Sequence, residues 1–154
     1  MPELTEVEKW EGAYTASFLV EVDGVELGRF KEVSGLQVDV EVETFTEGGE
    51  NGFVHKLPGR MTWPNLVLKR GITKEDVLMG WLNDAVGDGM ATRNGKSKRT
   101  TAAVTMIAGD GTRLRSWSVV DAMPIRWAGP TFSSDATDAA VEEVEIAHHG
   151  FRSK

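Results

Sequence analysis

Three histidines, His55, His148 and His149, are the side chains best suited to ligate a metal or move a proton near neutral pH. His148 and His149 are adjacent, and neighbours on a strand point to opposite faces, so the pair cannot readily close on one ion. A three-histidine site would need His55 to converge on them from far along the chain. Asp39, Glu41 and Glu43 recur at every second position, which lays three carboxylates along one face of a strand. Two such groups can approach the separation of about 5–5.5 Å that a retaining glycosidase uses, yet nothing else in the sequence marks a sugar cleft. Serines occur without a G-x-S-x-G elbow, and there is no Walker loop, G-x-G-x-x-G or EF-hand loop. The absence of cysteine removes disulfides, thiolate metal sites and cysteine catalysis together. These residues imply no catalytic site, no metal and no cofactor.

Two further groups invite binding rather than catalysis. Arg93, Lys96, Lys98 and Arg99 form a basic cluster able to touch phosphate. They lack interleaved aromatics and sit in a chain with 17 basic against 24 acidic residues, net charge −7. A solvated loop or a protein contact is the reading this favours over nucleic-acid binding. Tryptophan is abundant, with Trp10, Trp63, Trp81, Trp117 and Trp127, and large aromatics contribute most burial in cores and subunit interfaces.

A chain of 154 residues is the size of one domain and buries about 70% of its unfolded surface without a staple. The start, "MPELTEVEKWEGAY", has no basic n-region leading into an apolar run, and no stretch approaches the about 18 apolar residues of a membrane span. The expectation is synthesis in the cytoplasm, with any export depending on a larger assembly.

The elements that would position these residues are mostly strands. "YTASFLVEV" alternates, Asp23-Gly24 follows, and a second apolar run completes a hairpin signal. In "LQVDVEVETF", Leu36, Val38, Val40 and Val42 share one parity, while Gln37, Asp39, Glu41 and Glu43 share the other. Like charges on one face repel, so the carboxylate row needs a use. The segment Glu47, Gly48, Gly49, Glu50, Asn51, Gly52 is a turn or flexible tip. "FVHKLPGRMTWPNLVLKRG" returns as strands broken at Pro58-Gly59. A helix is expected over "TKEDVLMGWLNDAVG", with Thr73 as N-cap, Gly87 as stop, and an apolar stripe of Val77, Leu78, Trp81, Leu82 and Ala85. "GDGMATRNGKSKRT" reads as an exposed loop, and Asp110-Gly111 marks a second hairpin. The last strand, "VEEVEIAHHG", sets Glu142, Val144 and Ile146 on one parity. Short strands, tight turns and one helix imply a mainly β fold, closed or sandwiched, with the helix against a sheet.

The order of these segments resembles the tail-tube proteins of contractile phages, a family that also supplies the inner tubes of phage-tail-like extracellular contractile injection systems. The resemblance rests on "GRFKEVSGL", the acidic strand ending in "EGGENG", "KLPGRMTWPNLVLKRGIT", the helix with "LMGWL", "AVTMIAGDGTRLRSWSVVDAMPIRW" and "VEEVEIAHHGF". It spans roughly residues 14 to 151.

What the resemblance implies is a single tail-tube-like domain over 1–154, with 1–13 as an N-terminal arm anchored by Trp10. Two antiparallel sheets would form a barrel-like sandwich with one flanking helix. Subunits would join as hexameric rings, stacking into a hollow tube that conducts DNA or protein cargo when a sheath contracts. Sheath, baseplate and tape-measure proteins would be its partners, and an assembled tail or injection particle its place. Asp39, Glu41 and Glu43 would face the lumen, with Val38, Val40 and Val42 packed on the protomer core. Alternatively these acids lie on an outer or ring-to-ring surface, paired with bases such as Arg60, Lys69 or Arg70. Residues 47–52 would reach the next ring, or serve as a plain hairpin tip. A small ligand-binding or hydrolytic β-barrel, using Glu41, Glu43, His55 or His148 in a pocket, is the competing reading.

Overall fold

The computed structural model describes residues 15–49, 52–131, 134 and 140–153. The expected N-terminal arm, with Trp10, lies outside the described residues, as do Glu50 and Asn51 of the tip. In chain order the strands are β1 (Thr15–Val22), β2 (Val25–Phe30), β3 (Glu32–Ser34), β4 (Asp39–Phe45), β5 (His55–Thr62) and β6 (Leu66–Gly71). Two helices follow, α1 (Val77–Val86) and α2 (Gly89–Thr92), then β7 (Thr100–Ala108), β8 (Arg113–Ala128), β9 (Val141–Ala147) and β10 (Phe151–Ser153).

Every strand pairing is antiparallel, and two sheets face each other. Long strands carry the chain from one sheet to the other. The first part of β8 pairs with β7 and β10, and its second part pairs with β9. The turn of this corner falls where Asp121 adopts φ 51° and where Gly150, between β9 and β10, adopts φ 113°. At the opposite corner β2 pairs with β1, β3 pairs with β6, and the Lys31 N–H donates to the Lys69 carbonyl between them. The result is the barrel-like sandwich expected from the sequence, built without a fully closed barrel.

The interior follows from alternation. Val20 and Val22 of β1, Leu66 and Leu68 of β6, Val104 of β7, Val119 of β8, and Val144 and Ile146 of β9 point between the sheets and are buried. The Asp23-Gly24 turn has both residues at positive φ (50° and 77°), the geometry of the tight hairpin that this dipeptide favours. Helix α1 seals one side with Leu78 and Ala85 buried and with Val77 and Trp81 against the core. It begins later than the sequence predicts. The Ile72 N–H still pairs with the Ala140 carbonyl, and Thr73 turns its hydroxyl to the Glu75 carbonyl, so Asp76 precedes the first turn and no side chain caps it. The expected loop after Gly87 contains the short helix α2.

Candidate functional site

The strands β4 and β5 stand apart as a two-stranded sheet of their own. Every residue of β4 is exposed, and β5 is exposed apart from half-buried His55. At a rise of about 3.3 Å per residue the ribbon projects roughly 23 Å. The expectation that Val38, Val40 and Val42 pack on the protomer core is therefore corrected. Val40 is 44% and Val42 55% exposed, because within this chain nothing among the described residues covers that face.

The pairing register gives the ribbon two distinct faces. Val40 lies opposite Met61 and Val42 opposite Pro58, so one face carries an apolar strip that ends at the Thr44–Lys56 pair. On the other face Asp39 lies opposite Thr62, Glu43 opposite Leu57, and Phe45 opposite His55. Between these pairs β5 has one residue more than β4, a bulge that sets Gly59 and Arg60 against Glu41. Glycine suits the bulge, since a Cβ at position 59 would lie 3.2 Å from the Glu41 carbonyl oxygen. At the tip His55 meets the Glu47 carboxylate at 3.2 Å and the edge of Phe53 at a centroid distance of 4.9 Å. Gly49 takes φ 93° there.

Two of the three bases proposed to neutralise the acidic row, Lys69 and Arg70, are engaged elsewhere. Lys69 lies 3.7 Å from Glu143 and 3.9 Å from Glu32, while Arg70 pairs with Glu142. Arg60 makes no ion pair among the described residues. Among the described residues Asp39, Glu41 and Glu43 thus form an acidic face with no ion-pair partner, the one polar contact being the Gln37 amide donated to Asp39 at 3.0 Å.

The remaining candidates resolve into structural roles. His148 is buried and His149 exposed, just past the end of β9, so the two do not share one environment. Among the described residues no cluster of three or more potential ligands could hold a metal ion. Arg93 donates to the carbonyls of Asp84, Ala85 and Lys96, and Lys98 lies 3.5 Å from Asp84, so these members of the basic cluster serve the end of α1. Arg99 donates to the Asp121 carbonyl. A cavity of about 290 Å³ opens between β2, the end of β6 and the start of α1, lined by residues that include Arg70, Thr73 and Val77. None of Glu41, Glu43, His55 or His148 lines it, so the pocket reading finds no support in the residues it named. Sequence reasoning missed the Arg70–Glu142 pair, although an acid in phase with Val144 and Ile146 signals a buried charge needing a partner.

The sequence from 14 to 152 matches the family model of the T4-like virus tail tube protein gp19. The chain belongs to that family. It is a structural tube protein of the phage-tail kind, as the order of its segments implied. Solved tail-tube-like structures agree in fold. One is the sheath–tube complex of the extracellular contractile injection system PVC in its extended state, at 20% identity and TM-score 0.76, covering 99% of each chain. Another is the cap terminating the anti-feeding prophage tube, at 20% identity and TM-score 0.75, covering 100% of this chain and 95% of that one. A more distant likeness is Hcp1 from Flavobacterium johnsoniae, at 14% identity and TM-score 0.53, covering 89% and 94%. No curated protein matches the sequence.

Proposed function

We propose that this tail tube protein forms hexameric rings that stack into the hollow inner tube of a contractile tail or injection particle. The β4–β5 arm is the joining element. The observation that carries this reading is the apolar strip of Val38, at the entry to β4, with Val40, Val42 and Met61, which no core among the described residues covers. Contiguous exposed apolar surface on a projecting sheet marks an interaction site, and a second copy of the same chain satisfies it symmetrically. With the apolar face against a neighbouring subunit, Asp39, Glu41 and Glu43 turn to the channel. A negative wall repels DNA and acidic protein cargo and favours passage over adsorption. The tip, residues 47–52, extends toward the adjacent ring.

On this reading the protein has no catalytic role and uses no cofactor. Residues 1–154 act as one domain, with 1–13 an arm that orders against a partner. Sheath, baseplate and tape-measure proteins are its other contacts. The subunit is made in the cytoplasm and ends in the assembled particle. Electron microscopy of the purified protein, with its mass in solution, is the test. Rings or hollow tubes with sixfold projections are expected; a monomer that fails to polymerise even on a supplied baseplate template would overturn the reading.

A further inference from the structure

The tip of the arm carries a second apolar surface, separate from the valine strip. On the face that bears the acidic row near the root, Leu57 lies opposite Glu43 and Phe45 opposite His55, so carboxylates give way to apolar groups toward the turn. His55 is flanked by rings, Phe53 edge-on at a centroid distance of 4.9 Å and Phe45 tilted at 6.3 Å. Phe45, Phe53 and Leu57 are nonetheless 57%, 59% and 53% exposed. A channel wall that passes cargo gains nothing from bare phenylalanines, which adsorb what they meet, so this patch needs a cover. A recess for it lies at the far end of β6. Ser34 pairs with Val67, and both strands run on to the Asp39–Thr62 pair, so the arm leaves from the Leu66 end of β6. The cavity of about 290 Å³ opens at the Gly71 end, beside β2 and the start of α1. At that size it suits an inserted side chain rather than a large ligand, whose pockets run to about 1,000 Å³. Leu27 and Val77 give it apolar lining, and exposed Ile72 adjoins it. Arg70 has its charge met by Glu142, which leaves Arg29 and Glu75 as the exposed charges of the lining, neither ion-paired among the described residues.

We propose that the tip of one copy seats in the β2–α1 cavity of the copy in the next ring, with Phe53 entering the apolar lining and Glu47 meeting Arg29. An element at one end of a subunit that fits a recess at the other makes a head-to-tail contact, and such a contact repeats without closing on itself. No tip residue lines the cavity of its own chain, so the recess is free for a second copy. An aromatic side chain in a pocket is the kind of anchor that carries an interface. Glu47 is exposed and held by His55 at 3.2 Å, and a carboxylate has acceptor sites enough to keep that contact while taking the Arg29 guanidinium. Glu75 at the same mouth repels a misaligned acid, which leaves Glu47 one favourable seat. This contact rests on the assembly reading and names the surface that receives the tip.

The chain has no cysteine, so engineered thiols report this contact alone. Thr73 is exposed and lines the cavity. Phe53→Cys and Thr73→Cys subunits, mixed and oxidised as they assemble, should bridge to each other, and neither should bridge to itself. A chain carrying both changes should give a ladder of covalent oligomers. Phe53→Cys combined with Asn83→Cys, on the exposed side of α1, should give none. Disulfides form only across Cα separations of about 4.4–6.8 Å, so the ladder locates the seat closely. Charge reversal gives a second readout: Glu47→Arg or Arg29→Glu alone should raise the concentration needed for stacking about tenfold, and the two together should restore it. Stacked rings with no bridge between positions 53 and 73 would overturn the contact and leave the ring reading standing. Bridging of Phe53→Cys to itself would overturn it too, since that marks a symmetric contact. A ladder from a protein that never shows sixfold rings would keep the contact and overturn the ring reading.

Discussion

Arg70 donates from Nε to the carboxylate of Glu142, its register partner on the paired strands β6 and β9, at 2.6 Å, with both side chains less than a tenth exposed. The pair is fully dressed. Arg70 also donates from Nη1 to the Leu27 carbonyl and lies over the Phe30 ring, while Glu142 accepts the Trp127 indole N–H at 3.1 Å. A buried ion pair survives desolvation only when its remaining hydrogen-bonding capacity is met, and here three strands and a tryptophan meet it.

Removing one partner should therefore be costly. Arg70→Ala or Glu142→Ala is expected to lose about 3–5 kcal/mol of stability, since each leaves a buried charge uncompensated. The joint exchange Arg70→Met with Glu142→Leu should cost less than either single truncation. Urea unfolding midpoints of the three variants decide the ordering.

Gly28 is required by the same pair. Its φ is +131°, and a Cβ there would sit 2.6 Å from Arg70 Nη1. Gly28→Ala should lose at least the about 1–3 kcal/mol of a strained backbone, and the loss should shrink when Arg70 is already Met. Thermal melts across that double-mutant cycle measure the coupling.

The arm should behave in the opposite way. Val40→Asp with Val42→Asp changes residues exposed in the subunit, so stability should move by no more than about 0.5 kcal/mol. Ring and tube formation should be abolished, as seen by sedimentation and microscopy. Loss of folding with loss of assembly would mean that the strip packs within the chain.

Reversing Asp39, Glu41 and Glu43 to Lys separates the two places the acidic face could occupy. Tubes that form normally but retain DNA or acidic cargo would agree with a lumenal position. Collapse of assembly would place these acids at a subunit contact.

At the turn between β7 and β8, Asp110 has its carboxyl held below the ordinary carboxylate range, chiefly by the Thr112 backbone N–H donated to it at 2.9 Å. A depressed folded value stabilises the turn above the unfolded value of 3.8 and loses that contribution as pH falls through the folded value. Carboxyl-carbon titration should place the Asp110 midpoint below 3.8, and Thr112→Pro, which removes the N–H, should raise it.

The sequence by itself determined a great deal. Alternation located the strands, the Asp23-Gly24 and Asp110-Gly111 pairs located two turns, and the apolar stripe from Val77 to Ala85 located the helix. These signals are local, with periods of two and 3.6 residues, and the ordered motifs carried the family with them. The tertiary structure alone decided which faces are covered. Alternation gives β4 a valine face and an acidic face, but both remain open, because coverage depends on what lies opposite and not on period. Partners distant along the chain decided the rest. Alternation set Glu142 on the face of Val144 and Ile146, and the sheet register brought Arg70 beside it. His148 looked like half of a failed metal pair until the corner set Pro64 and Gly150 on its two nitrogens. A charge or an imidazole announces in the sequence that it needs partners; only closure of the sandwich says which ones it finds.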